Sequence, residues 1–303
     1  MKSKRPRIGR DVRRMCLVSL LGVCLLAGCS GETKPRLVIG SKNFTEQIVL
    51  AELLAQHIES KLGVEVERRV NLGGTLICHE AVRTGSIDLY VEYTGTALTA
   101  VLDLQPSKDP AEVYERVRTA YAQRFALEVT EPLGFDNTFA IVVRGDDAQR
   151  LGIRTLSEAA PHARKWRAGF GYEFVERPDG LRALAATYGL KFAEAPRLME
   201  LGLLYRALEE KKVDIVAGSM TDGVIAARGF VVLEDDKHYF PPYEAVPVVH
   251  RAALARHPQL RELLRALAGR IRADEMRRLN YAVDGEHRDV KQVVREFLVA
   301  KNL

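Results

Sequence analysis

Gly85-Ser86-Ile87-Asp88-Leu89-Tyr90-Val91-Glu92-Tyr93-Thr94-Gly95-Thr96 is the stretch on which the reading of the fold turns. Gly85 stops a helical pattern. A short run of large apolar and aromatic residues follows, and Tyr-Thr-Gly-Thr closes it. That order predicts a strand delivering an aromatic ring and two hydroxyls to a turn at its carboxyl end, the usual ligand position in an open α/β sheet. A weaker copy stands at Lys212-Val213-Asp214-Ile215-Val216-Ala217-Gly218-Ser219-Met220-Thr221-Asp222-Gly223. Laying Asp88 on Asp214 sets Tyr93 on Ser219 and Thr96 on Asp222. Both segments follow a helical pattern ending in charge or Gly, so two similar α/β lobes facing a common cleft are expected.

Upstream, Leu37-Val38-Ile39-Gly40 reads as a strand and Ser41-Lys42-Asn43-Phe44-Thr45-Glu46-Gln47 as the entry to a helix. Asn43 and Glu46 have capping-box spacing, and Ile48, Ala51, Leu54, Ile58 and Leu62 make an apolar stripe. Val64, Val66 and Val70 alternate as a strand, and Asn71-Leu72-Gly73-Gly74-Thr75 opens a second helix whose first N–H groups suit an anion. Strands alternating with amphipathic helices give the α/β class with a mostly parallel sheet.

Downstream, residues 98–126 read as helical, and the βα alternation restarts at strand 140–143. Phe240-Pro241-Pro242-Tyr243 is a stiff connector into strand 245–249, and helical segments near 258–271, 274–281 and 289–298 end the chain. No Pro/Gly/Ser linker divides the halves. Crossing strands near 139–143 and 240–246 therefore join the lobes, with 37–139 plus 243–303 forming the first and 140–242 the second.

The chain has 303 residues and a formal net charge of +5. Residues 1–28 hold seven of the 45 Lys/Arg and one of the 40 Asp/Glu, which leaves 38 basic against 39 acidic residues. A neutral body lacks the basic footprint of a nucleic-acid partner. The basic start, the apolar run 15–27 and Leu26-Ala27-Gly28-Cys29 read as a lipoprotein signal peptide over 1–28, with acylation of Cys29 and a tether over 29–36. The product would be an exported protein held by lipid on the periplasmic or outer cell-surface side. Ser30 leaves the choice of membrane open. Cys78 alone remains as a thiol in the body, in an apolar helical pattern that suits burial, and no spacing of Cys or His suggests a metal. Nucleophile elbows, phosphate loops, dinucleotide fingerprints and zinc-protease motifs are absent, so no enzyme and no cofactor is expected.

What stands out is a set of aromatics and hydroxyls where strands meet loops. Tyr93, Phe139 and Tyr243, each alone as compatible with core packing, fall together with Lys42, Thr96 and Arg177 in loop positions. Aromatic faces attract a quaternary ammonium, which offers no hydrogen-bond donor. Lys, Arg and a hydroxyl fix a carboxylate. A small zwitterion fits the set.

Gly40-Ser41-Lys42-Asn43-Phe44-Thr45-Glu46-Gln47, Asn71-Leu72-Gly73-Gly74-Thr75, Glu92-Tyr93-Thr94-Gly95-Thr96, Asp136-Asn137-Thr138-Phe139, Arg177-Pro178-Asp179-Gly180, Thr221-Asp222-Gly223 and Phe240-Pro241-Pro242-Tyr243 resemble, in order, the osmoprotectant-binding proteins of ABC importers. Members bind glycine betaine, proline betaine, choline or carnitine. The resemblance implies a type II periplasmic-binding fold of two α/β lobes on a two-stranded hinge, a monomer serving a permease and an ATPase. It implies cage walls at Tyr93, Phe139 and Tyr243, carboxylate contacts at Lys42, Thr96 and Arg177, and a lining role for Asn137. Ser219 departs from the pattern, because high-affinity members usually carry Tyr there. One missing cation–π wall is worth roughly 0.5–2 kcal/mol, about two- to thirtyfold in affinity. The same fold binding another amine or amino acid, or serving as a sensor domain, stays open, as does a secreted enzyme.

Overall fold

The computed structural model describes residues 36–303; the expected signal peptide, Cys29 and all but the last residue of the tether lie outside the described residues. The strands are β1 Leu37–Gly40, β2 Val66–Arg69, β3 Leu89–Tyr93, β4 Leu127–Val129, β5 Phe139–Arg144, β6 Ala168–Phe170, β7 Arg197–Leu198, β8 Ile215–Ser219, β9 Phe230–Leu233 and β10 Ala245–His250. They build two five-stranded sheets in the orders β2-β1-β3-β10-β4 and β7-β6-β8-β5-β9. In the first, β2, β1 and β3 run parallel and β10 is antiparallel to both of its neighbours. In the second, β7, β6 and β8 run parallel and β5 takes the antiparallel place. The chain thus enters the second sheet at β5 and returns at β10, and each crossing strand lies beside the central strand of its sheet.

The echo between the two sequence segments is a structural one. Asp88 takes the Val38 N–H on its carboxylate at 2.8 Å and gives its own N–H to the Val38 carbonyl. Asp214 takes the Arg167 N–H at 2.9 Å and gives its N–H to the Arg167 carbonyl. Each Asp therefore pins the start of a central strand to its parallel neighbour. The register then carries Tyr93 and Ser219 to equivalent strand ends, paired with Ala245 and Phe139.

Three local expectations are corrected. Asn43 and Glu46 form no capping box: the cap residue is Phe44, without a side-chain bond, and the Asn43 N–H is already given to the Gly73 carbonyl at 3.1 Å. Thr94-Gly95-Thr96 is no turn but the first turn of a helix that continues through the π-type turn Ala97–Val101. Pro110–Arg124 is a separate helix, capped by the Asp109 carboxylate on the Ala111 N–H.

Helix Thr45–Leu62 is buried more widely than a single stripe. Val49, Leu50 and Leu53 are in the core with Leu54 and Ile58, because helices Ala273–Asp284 and Val290–Lys301 pack into the same cluster. Leu62 packs half-buried against the edge of that cluster, and Ile48 is the stripe member left outside it, facing the cleft instead. Cys78 is fully buried, and burial pushes its thiol up to about 12, so it is an inert core thiol. No helix among the described residues is long and apolar enough to cross a membrane.

Candidate functional site

A cleft of about 690 Å³ opens where the carboxyl ends of β1, β3 and β8 meet the crossing strands. Lys42, Tyr93, Thr96, Asn137, Phe139, Arg177, Ser219 and Tyr243 all line it. Sequence separations of about two hundred residues are closed by the topology just described, since Lys42 follows β1, Tyr93 ends β3, Asn137 precedes β5 and Phe139 opens it, Ser219 ends β8 and Tyr243 precedes β10.

Both cations arrive with partners. Lys42 Nζ stands 2.5 Å from Glu92 Oε1 and 2.9 Å from Thr75 Oγ1, with 3% of its side chain exposed and none of Glu92's. Its ammonium also lies 5.3 Å from the Tyr93 ring centroid. Arg177 forks onto Asp179 at 2.8 and 2.5 Å and donates to Thr96 Oγ1 at 2.9 Å. Its guanidinium lies 5.1 Å from the Phe139 ring and 5.7 Å from the Tyr243 ring. Burial works against the Arg177 charge, but the Asp179 pair outweighs it and raises the guanidinium further.

The aromatic walls are held by hydroxyl bonds and by ring packing. Tyr243 donates to Asp179 Oδ2 at 2.5 Å and meets Phe139 edge-on at 5.8 Å. Phe139 in turn packs against Phe174 at 4.8 Å. Gly95 is small for this reason: a Cβ there would stand 2.6 Å from the Pro242 carbonyl and 2.8 Å from the Tyr243 ring. Tyr93 donates to Glu46 Oε1 at 2.6 Å, and Asn137 gives its amide to the same oxygen at 2.7 Å. Burial raises the Glu46 carboxyl, against the pull of hydrogen bonds from Tyr93, Asn280 and Asn137.

The cleft is also lined by the acids Asp222 and Asp284. Asp222 Oδ2 accepts the Ser219 N–H at 2.9 Å and the Tyr205 hydroxyl at 2.6 Å. Burial, reinforced by Glu46 and Asp284, lifts Asp222 to about 6 against those two bonds. Asp284 is raised by burial as well.

Sequence reasoning missed several lining residues. Phe44 stacks on Tyr93 with centroids 6.4 Å apart, and it lay in a quoted motif as an aromatic among polar neighbours. Tyr205 lines the cleft beside Ser219, tied to it through Asp222, yet in sequence it is one more residue of a helical run. Glu173 and Phe174 gave no signal at all.

Known proteins resemble this chain over most of its length. A carnitine transport binding protein of Listeria monocytogenes is 34% identical over 284 residues, 93% of this chain and 92% of that one. A glycine-betaine-binding protein of Pseudomonas aeruginosa is 33% identical over 301 residues, 96% of this chain and 94% of that one. The crystal structure of a glycine betaine/carnitine/choline ABC transporter protein superposes with a TM-score of 0.73 at 33% identity, over 88% of this chain and 98% of that one. The family described as the substrate-binding domain of ABC-type glycine betaine transport systems matches residues 35–300, and this chain belongs to it.

Proposed function

We propose that this protein captures a quaternary-ammonium compatible solute, with glycine betaine as the first candidate, in the cleft between its lobes and hands it to an ABC permease and its ATPase. As a substrate-binding protein of an importer it works outside the cytoplasm and performs no chemistry on the solute. The observation that carries the reading is the convergence of aromatic faces and hydrogen-bonded cations on one cleft. Tyr93, Phe139 and Tyr243 form walls for the ammonium, with Phe44 beside them, and Tyr205 fills the side that Ser219 leaves open. Such faces attract a cation that cannot be read by hydrogen bonds. Lys42, Thr96 and Arg177 are the carboxylate contacts, and Asn137 and Ser219 complete the lining. The lobes divide as 37–139 plus 243–303 and 140–242. Removal of residues 1–28 and acylation of Cys29 tether a monomer to the membrane.

Titration calorimetry of purified residues 30–303 against glycine betaine, proline betaine, choline, carnitine and ergothioneine tests this. Saturable heat with at least one of them is expected. Silence from all of them at millimolar concentration removes the compatible-solute reading.

A further inference from the structure

The corner that would receive a solute carboxylate already faces an anion of the protein's own. Glu173 sits on the short helix Tyr172–Glu176, which follows β6 in the second sheet. Its Oε2 lies 3.3 Å from the backbone N–H of Thr75, the first residue of helix Thr75–Arg83 beside the first sheet. Its Oε1 lies 3.7 Å from Arg177 Nη1. The hydroxyl of the same Thr75 takes Lys42 Nζ at 2.9 Å. An ammonium, a guanidinium and a nine-residue helix's first N–H therefore converge around one carboxylate. These are the elements that attract an anion to a helix start. Burial opposes the Glu173 charge, but Lys42, Thr75 and Arg177 outweigh it and hold the carboxyl below its usual range. Gly74 leaves the room: a Cβ there would stand 2.8 Å from Glu173 Oε2.

The charge balance of this corner follows. Lys42 is neutralised by Glu92 and Arg177 by Asp179, both as buried pairs. Glu173 is then a surplus negative charge, and with 40% of its side chain exposed it is the one carboxylate here free to swing out.

We propose that Glu173 is a specificity residue that occupies the anion position of the cleft, so that a solute carboxylate such as that of glycine betaine binds only by displacing it, a penalty that a quaternary ammonium with a neutral tail does not meet. This rests on the quaternary-ammonium reading above. Two like charges about 5 Å apart at an effective dielectric of about 20, discounted for exposure, correspond to roughly a tenfold effect.

The test is calorimetry of the wild type and Glu173→Gln with choline and with glycine betaine at low salt, with ligand-free melting curves as the fold control. The glutamine keeps the shape and removes the charge. Glycine betaine is expected to tighten about tenfold relative to choline. Glu173→Asp, one methylene too short to reach Thr75, is expected to shift the ratio in the same direction by less. Both solutes binding with an unchanged ratio in Glu173→Gln, or betaine losing ground to choline, overturns the proposal alone. A wild type that binds neither of these, nor any other quaternary ammonium, overturns the underlying reading and this proposal with it.

Discussion

The Tyr93 hydroxyl donates to Glu46 at 2.6 Å, which makes the orientation of a cleft wall depend on a carboxylate in the core. Glu46 also collects the amides of Asn137, where the chain crosses between sheets, and of Asn280, from helix Ala273–Asp284. Asn280 donates to the Thr221 carbonyl at 3.0 Å and Asn137 accepts the Thr221 N–H at 3.4 Å, so the network reaches the segment after β8. The site and the hinge share one polar cluster.

Removing the hub tests that sharing. Glu46→Ala would leave Tyr93, Asn137 and Asn280 donors without their acceptor, at about 1–3 kcal/mol for each one left unsatisfied. Urea unfolding is expected to show a stability loss of at least about 2 kcal/mol, and solute affinity is expected to fall with it. A variant as stable as the wild type would show that water or another acceptor replaces the carboxylate at no cost.

Tyr205 is expected to act as the wall that Ser219 does not supply. Tyr205→Ala should weaken a quaternary-ammonium solute by about two- to thirtyfold, the range of one cation–π contact. Tyr205→Phe keeps the ring and loses only the bond to Asp222, so its affinity should stay near the wild type. If alanine binds as tightly as tyrosine, the ring faces Phe230, on which it stacks at 5.9 Å, and not the solute.

Asp222 gives a pH signature. Its folded-state value of about 6 lies above the ordinary 3.8, so the folded protein holds a proton that the unfolded chain releases between the two. The resulting stabilisation is complete below pH 3.8 and is lost as pH rises through 6. Comparing melting curves of the wild type and Asp222→Asn from acid to neutral pH isolates this group from the other carboxylates. The wild type should lose roughly 3 kcal/mol relative to the variant over that interval. Parallel curves would mean that Asp222 is ionised at an ordinary pKa.

Arg177 ties the cationic corner to the cage. Arg177→Ala removes the proposed carboxylate contact, frees faces of Phe139 and Tyr243 and leaves Asp179 with the Tyr243 hydroxyl but no cation. Glycine betaine should therefore weaken strongly, by about tenfold or more, while choline holds or tightens. Equal losses for both solutes would show that Arg177 supports the fold of the cleft and does not contact the solute. The melting temperature should fall in either case, because a buried carboxylate loses its partner.

How much of this was written in the sequence depends on whether a local pattern or a distant contact decided it. Strand ends such as Tyr93 and Ser219 were legible because a strand's apolar run stops at a defined residue and its topology fixes what lies there. Phe139 and Tyr243 were legible for the same reason, as residues flanking crossing segments. Glu46 was misread because its spacing from Asn43 satisfies a capping rule. The N–H it would cap is taken by Gly73, and its carboxylate is drawn inward by Asn280, 234 residues away. Tyr205 and Glu173 carry no local mark, since only the packing of one lobe against the other turns a helix residue into a cleft residue. The segment Thr94–Thr96 is helical and runs on into the π-type turn, and the Thr99 hydroxyl donates to the Gly95 carbonyl at 2.8 Å, a contact that no local pattern announces.

The central claim is that the cleft recognises a fixed positive charge through aromatic faces and acidic groups. The most direct measurement is a calorimetric comparison of choline with its neutral tert-butyl isostere, which has the same shape and hydroxyl but no charge. The account predicts saturable heat with choline and binding at least about thirtyfold weaker for the isostere. Equal affinity for the two would contradict it, because the cleft would then be reading shape and apolar surface and not charge.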